Sequence, residues 1–121
     1  MDRVLAFVCV LLLITSVIFY ADANSVKVYR FSAPGCKFCE DSEADWDEFV
    51  ASKRLSLLTK TIHIRSDTSY KAEQAMMTNF RITQYPTIVA VAPNGVRSVF
   101  PGDSTEMTSD KLNAWLNPEK V

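Results

Sequence analysis

The chain has 121 residues, with 13 Lys and Arg against 14 Asp and Glu and a formal net charge of −1 at pH 7. This length allows a single domain. The near balance of charge gives no indication of nucleic-acid binding, so no nucleic-acid partner is expected.

The N-terminal segment is apolar and uncharged over residues 4–20, with Arg3 before it and Asp22 after it. Ala21-Asp22-Ala23 then has the small-residue pattern of a signal-peptidase site, which predicts a secretory signal peptide cut after Ala23. An uncleaved N-terminal membrane anchor is the alternative, because the run is slightly long for a signal core and slightly short for a span of about 20 residues. A buried helix of a soluble domain is a third interpretation of this segment.

The predicted domains are therefore a signal peptide or anchor over residues 1–23 and one folded domain over residues 24–121. Both main readings place the folded domain outside the cytosol. The expected location is the secretory pathway, either the endoplasmic reticulum lumen or the secreted fraction, or the periplasm if the source is bacterial. Membrane association is expected only if the N-terminal segment is retained.

The folded domain begins with an apolar strand, Val26–Ser32, which Ala33-Pro34-Gly35 ends. Cys36 and Cys39 follow, where the pattern changes to helix. Their spacing puts both sulfurs on one side of the first helical turn. Unpaired N–H groups and the helix dipole at that end favour a thiolate. The pair is predicted to be a dithiol that closes and reopens as a disulfide.

Two other uses of the pair are weaker. A disulfide across three residues closes a very small loop and therefore constrains the unfolded chain little. Zinc needs four ligands, and after loss of Cys9 with the signal peptide only Cys36, Cys39 and the distant His63 remain. No metal and no cofactor are expected.

A helical pattern follows over about residues 36–50. Its buried stripe is predicted to contain Cys39, Trp46, Phe49 and Val50. Acidic residues occupy the other faces and indicate a solvated surface, with an acidic docking surface as the alternative.

A short strand is predicted at 61–65, starting there or somewhat earlier, and a helix is predicted to end near Asn79. Asp67, Thr68 or Ser69 is expected to cap that helix. Its inner face is predicted to carry Tyr70, Met77 and Phe80. His63 alternates with isoleucines on the strand, which favours a sheet histidine over a catalytic one.

The last elements are a hairpin and a helix. Strands are predicted at 88–92 and 96–100, joined by a turn at Pro93-Asn94-Gly95, because Asn-Gly is a strong hairpin signal. A final helix is predicted at about Ser109–Leu116, with an apolar side formed by Leu112, Trp115 and Leu116.

The order of elements predicts an α/β fold with a mixed four-stranded sheet. The first two strands, joined through a helix, should be parallel, and the last two should form an antiparallel hairpin. Helices should then cover both faces of the sheet.

The domain resembles the thioredoxin superfamily over nearly all of residues 26–117. The resemblance rests on Gly35-Cys36-Lys37-Phe38-Cys39 after a strand, Tyr85-Pro86-Thr87 before a strand, Asn94-Gly95 in the hairpin and Gly102 before the last helix. A lone C-x-x-C is a weak motif, whereas this ordered set is far more specific. Without the strand and helix that precede the first core strand in full-length members, the chain is similar to the minimal version of the fold.

The resemblance implies roles for several residues. Cys36 is the expected nucleophile and Cys39 the resolving thiol. Pro86 is expected to be cis and to lie against the dithiol, and Tyr85 to offer its backbone to an extended substrate.

The neighbours of these residues are expected to support the site. Lys37 adds a positive charge beside the nucleophile, and Gly102 is a supporting residue. Phe38, an aromatic residue between the cysteines, is a candidate client contact, with simple packing as the alternative. Trp46 and Trp115 are expected in the core rather than at a substrate platform.

Two features depart from the family pattern. The residues between the cysteines, Lys37 and Phe38, differ from the pairs usual in the family. Arg30 stands where thioredoxins place a buried acidic residue that assists proton transfer. Both departures concern the chemistry of the dithiol rather than the fold.

The predicted function is a thiol–disulfide oxidoreductase that acts on protein thiols and disulfides outside the cytosol through Cys36 and Cys39. The expected partners are client proteins and a redox recycling partner. The alternative is a binding module on the same fold, which tethers clients with little turnover.

Overall fold

The computed structural model describes residues 2–116, with the side chains of 18–23 left out of the description. The predicted domain end at 117–121 lies outside the described residues. Four helices, four strands and one 3-10 turn are seen in the described part: α1 Asp2–Ala23, β1 Val26–Ser32, α2 Lys37–Lys53, β2 Thr59–Arg65, α3 Lys71–Asn79, β3 Thr87–Val91, β4 Arg97–Val99, the 3-10 turn Ser104–Glu106 and α4 Ser109–Leu116.

The strands form one sheet in the order β2-β1-β3-β4. Strand β1 pairs with β2 in parallel and with β3 antiparallel, and β3 pairs with β4 antiparallel. These pairings confirm the predicted mixed sheet. In the register of β1, Arg30 lies beside His63 of β2 on one side and beside Ile88 of β3 on the other.

Alternation along β1 divides the core into two layers, because successive side chains of a strand point to opposite faces. Val28 belongs to the layer formed with α2 and α4, and Tyr29 and Phe31 belong to the layer formed with α3. The first layer contains Val28, Trp46, Phe49, Ile88, Phe100, Met107 and Leu112. The second contains Tyr29, Phe31, Ile64 and Val89. Helices therefore cover both faces of the sheet, as predicted.

The predicted cap of α3 is wrong. The N-cap residue is Tyr70, whose side chain makes no capping hydrogen bond. Thr68 instead accepts a hydrogen bond from the Tyr70 backbone N–H at 3.2 Å and donates one to Glu73. Because Tyr70 stands before the helical repeat begins, its side chain is 72% exposed and not on the inner face. Met77 and Phe80 do pack against the core as predicted.

Two predicted boundaries also differ. Strand β3 is shifted by one residue, to Thr87–Val91, and β4 is shortened to Arg97–Val99. The turn between them is present, because Asn94 Oδ1 accepts the Val96 N–H at 3.1 Å and Gly95 has a φ of +86°.

Helix α1 covers the apolar N-terminal segment, and its side chains over residues 2–17 are exposed. Within residues 2–116, no helix combines the length and the apolar character needed to cross a membrane.

Candidate active site

The dithiol lies where β1 gives way to α2. Cys36 is the N-cap residue of α2, with φ −84° and ψ 108°, and Gly35 before it has a φ of +73° that favours glycine. Cys36 and Cys39 form a disulfide with their Cα atoms 5.2 Å apart. The Cys36 Sγ also accepts the Cys39 backbone N–H at 3.1 Å. A thiolate at Cys36 would therefore meet a donor at the positive end of the helix.

The two sulfurs differ in accessibility. Cys36 is half-buried, whereas Cys39 is only 5% exposed and faces the interior. An incoming disulfide can therefore reach Cys36 more easily than Cys39. This asymmetry suits an attacking thiol at Cys36 and a resolving thiol at Cys39.

The Tyr85-Pro86 segment lies against the dithiol, as the resemblance implies. The Tyr85–Pro86 peptide bond is cis. The carbonyl oxygen of Tyr85 is 3.6 Å from the Cys36 Sγ. A residue far along the chain is thus brought to Cys36 by the pairing of β1 with β3.

A groove of about 310 Å³ runs beside this contact. Its lining includes four of the predicted site residues: Phe38, Tyr85, Pro86 and Gly102. Phe38 is 61% exposed, so its ring is open to a bound partner. Lys37 is exposed on the first turn of α2.

One wall of the groove is the 3-10 turn, which the sequence reading did not predict. Asp103 caps this turn and accepts the Thr105 backbone N–H at 2.9 Å, while Glu106 Oε1 accepts the Asp103 N–H at 3.3 Å. The hydrogen bond from the Thr105 hydroxyl holds the pKa of Asp103 below its ordinary value. The Asp-x-x-Glu spacing of a capping box was the sequence signal for this turn. The groove wall is therefore anionic at neutral pH.

On the inner side of the dithiol lies Arg30, which is 2% exposed. Its Nη2 donates to the carbonyl oxygen of Cys39 at 2.7 Å and to Ser42 Oγ at 3.3 Å. Its Nη1 lies 3.2 Å from His63 Nε2. The sequence marked Arg30 as a departure from the family pattern, but its contact with Cys39 was not predicted.

His63 is held by two neighbours of β1. Because a guanidinium can only donate, Nε2 must accept from Arg30, which places the ring proton on Nδ1. Ser32 Oγ lies 2.6 Å from the same Nε2 and can donate to it. Burial of this edge lowers the pKa of His63, and the charge of Arg30 lowers it further. The neutral ring therefore acts as an acceptor.

A second cavity, of about 270 Å³, connects these groups. It is lined by Arg30, Cys39 and His63, together with Glu43 and other residues. Burial lowers the pKa of Arg30, and Glu43 and Asp47 oppose that shift. In residues 2–116, no three His, Cys, Asp or Glu side chains are grouped to hold a metal ion.

Solved structures of low sequence identity share this fold. The J-Trx1 fragment of ERdj5 is 18% identical with a TM-score of 0.60, and the match covers 80% of this chain and 42% of that one. The first thioredoxin domain of mouse protein disulfide-isomerase A4 is 18% identical with a TM-score of 0.63, covering 85% and 68%. The Drosophila germline-specific thioredoxin Deadhead is 20% identical with a TM-score of 0.60, covering 88% and 90%.

This chain thus spans less than half of the ERdj5 fragment. No protein-family model and no curated protein sequence matches it. The likeness of these structures, taken with the sheet order and the C-x-x-C pair at the start of α2, shows that the chain has the thioredoxin-like fold.

Proposed function

We propose that the protein is a thiol–disulfide oxidoreductase that exchanges disulfides with protein clients through Cys36 and Cys39. The observation that carries this proposal is the asymmetric pair beside a groove. The accessible sulfur is at the helix N-terminus and 3.6 Å from the Tyr85 carbonyl, and its partner is buried. Thiol–disulfide exchange needs this arrangement, because one sulfur must meet the client and the other must attack from within.

In the reducing direction, the Cys36 thiolate attacks a client disulfide and forms a mixed disulfide, and one client sulfur leaves as a thiolate. Cys39, after loss of its proton, attacks Cys36 Sγ. The Cys36–Cys39 bond forms, the bond from Cys36 to the client breaks, and the second client sulfur leaves with the electron pair. The client gains two electrons and the protein becomes a disulfide. A dithiol reductant is then needed as the recycling partner; in the oxidising direction the same steps run in reverse.

The features of the groove favour protein clients over small thiols as substrates. The Tyr85 backbone offers hydrogen-bonding groups to an extended chain, as an edge strand does. Phe38 supplies an exposed aromatic surface beside the nucleophile. A client segment lying in the groove would place its cysteine next to Cys36.

The proposed location is outside the cytosol, with residues 1–23 acting as a cleaved signal peptide. The apolar run over residues 4–20 and the Ala21-Asp22-Ala23 pattern support this. An oxidising compartment also fits a chain whose domain contains one close cysteine pair.

Reduction of insulin by dithiothreitol, followed as turbidity, tests the activity. The wild-type chain should accelerate precipitation, and Cys36→Ser should abolish the acceleration. In a separate experiment, Cys39→Ser should accumulate mixed disulfides with clients through Cys36, because the resolving thiol is lost. Client binding by the wild type without any acceleration would favour the binding-module alternative. Adducts formed by Cys36→Ser but not by Cys39→Ser would reverse the two roles.

A further inference from the structure

We propose that Arg30 is a positioning residue for the resolving step, whose buried positive charge stabilises the Cys39 thiolate. His63, which Ser32 contacts in turn, and Ser42 hold the guanidinium in place. The role in catalysis rests on the proposed function, whereas the effect on Cys39 is a property of the folded chain. In this role Arg30 supplies a fixed positive charge and does not accept the proton of Cys39.

The first argument is position. Arg30 is 2% exposed, and its Nη2 is 2.7 Å from the carbonyl oxygen of Cys39. The guanidinium and the Cys39 side chain line the same cavity. The guanidinium therefore lies directly beside the backbone of Cys39.

The second argument is that the charge has no anion bound to it in the disulfide state. The hydrogen-bond partners of Arg30 are the neutral Cys39 carbonyl, Ser42 hydroxyl and His63 ring. Its Nε is buried with no partner within the described part of the chain. A buried cation without a paired anion is costly. Reduction of the disulfide creates an anion at Cys39 that can compensate it.

The third argument compares the effects of burial and of charge on the pKa of the Cys39 thiol. Burial alone raises the pKa of a thiol, and Cys39 is only 5% exposed. A nearby opposite charge lowers an acid's pKa, by about 1–3 units at about 4–6 Å, so the guanidinium beside Cys39 opposes the effect of burial. Without the guanidinium, the buried thiol would remain protonated and would attack slowly.

Other charged groups around the cavity have weaker effects on the ionisation of Cys39. Glu40 and Glu43 of α2 line it and disfavour a thiolate, and Arg65 of β2 favours one. Asp47 of α2 acts on Arg30 and His63 from farther away. These four side chains are exposed, so solvent and salt screen them more than the buried Arg30.

The proton of the Cys39 thiol goes to water, because Arg30, unlike a buried carboxylate, cannot accept it. The Cys39 thiol releases its proton to water that enters through the cavity of about 270 Å³. The thiolate then attacks Cys36 Sγ, the Cys36–Cys39 bond forms, and the client leaves as a thiolate. Arg30 takes up no proton, and no further oxidant or reductant is required in this step.

The test is the pKa of Cys39, measured in the full chain carrying Cys36→Ser from the rate of iodoacetamide alkylation against pH. In this background, Cys39 should titrate at or below the ordinary thiol value of about 8.5, despite its burial. Adding Arg30→Gln keeps a donor for the Cys39 carbonyl but removes the charge, and should raise the pKa by at least about one unit. Ser42→Ala is the matched control, because it removes a hydrogen-bond partner and leaves the charge; it should not shift the pKa.

An unchanged pKa in a folded Arg30→Gln variant would overturn the proposal, because a merely structural arginine would alter stability without moving the titration. If Arg30→Gln does not fold in this background, the pKa of Cys39 in Cys36→Ser alone is the test. A Cys39 pKa more than about one unit above the ordinary value would then overturn the proposal. The titration needs no turnover, so a failed insulin assay with the expected shift would reject only the proposed function.

Discussion

The pH dependence of stability gives a direct test of the environment of His63. It is the only histidine in the chain, so proton uptake near pH 6 can be assigned to it with a single variant. Its pKa is lowered in the folded state by burial of its inner edge and by Arg30, with Arg65 adding to this and Glu43 and Asp47 opposing it. The unfolded chain therefore binds more protons than the folded chain in this range. Stability should be fully present above the unfolded pKa and should fall as the pH falls below it.

The size of the effect has a simple upper limit. A histidine with an unfolded pKa of about 6.5 that stayed neutral in the folded state would destabilise the protein by about 1.4 kcal/mol at pH 5.5. His63 is exposed to solvent as a residue, although its Nε2 faces Arg30 and Ser32. Solvent screening therefore reduces the expected loss to about 0.5–1 kcal/mol.

Urea unfolding of the oxidised protein, followed by tryptophan fluorescence, measures this loss. Trp46 is 3% exposed and should report the transition well. Curves at pH 7.5, 6.5 and 5.5 and constant ionic strength should show a decreasing free energy of unfolding. His63→Gln keeps an acceptor for Arg30 but cannot be protonated, so it should lose less stability over the same range. An equal loss in both proteins would refute the assignment to His63, and so would a wild-type stability that increased towards pH 5.5.

Three further outcomes are expected. Gly102→Ala should destabilise the fold by about 1–3 kcal/mol in urea unfolding, because a Cβ there would lie 2.8 Å from two side-chain atoms; an unchanged midpoint would contradict this. Leu112→Ala, at a fully buried position, should cost about 2–5 kcal/mol, whereas Leu57→Ala, 66% exposed, should change stability by less than about 0.5 kcal/mol. Equal costs would contradict the assignment of the core. Mass spectrometry of protein from secretory cells should show a chain that begins at Asn24, and retention of residues 1–23 would reject the signal peptide.

Local periodicity predicted much of the fold. The bounds of β1 and α4 agree with the prediction, and the stripe of α2 is buried as its helical spacing indicated. The error at Tyr70 arose because helical spacing was extended to the N-cap residue, which stands one position before α3 begins at Lys71. Strand β4 is shorter than predicted because edge pairing, rather than residue type, decides where a ladder ends.

Only part of the candidate site could be predicted from the sequence. The cysteine pair is a local motif, and the place of Pro86 followed from the resemblance. The contacts of Arg30 depend on the register between β1 and β2 and on the side chain's direction toward α2. Neither is encoded in a short window of sequence. A charged residue in a nearly apolar strand was the only local sign that something unusual lies beneath the dithiol.

The order of the sheet also determines which strands lie at its edges. Strands β2 and β4 are its outer strands, and exposed backbone at such edges is a template for unwanted strand addition and aggregation. Strand β4 has only three residues, and β2 bears the exposed basic residues Lys60 and Arg65. Short and charged edges discourage this pairing. Under the proposed function, an extended client would therefore pair with the Tyr85 backbone beside Cys36 and not along either border of the sheet.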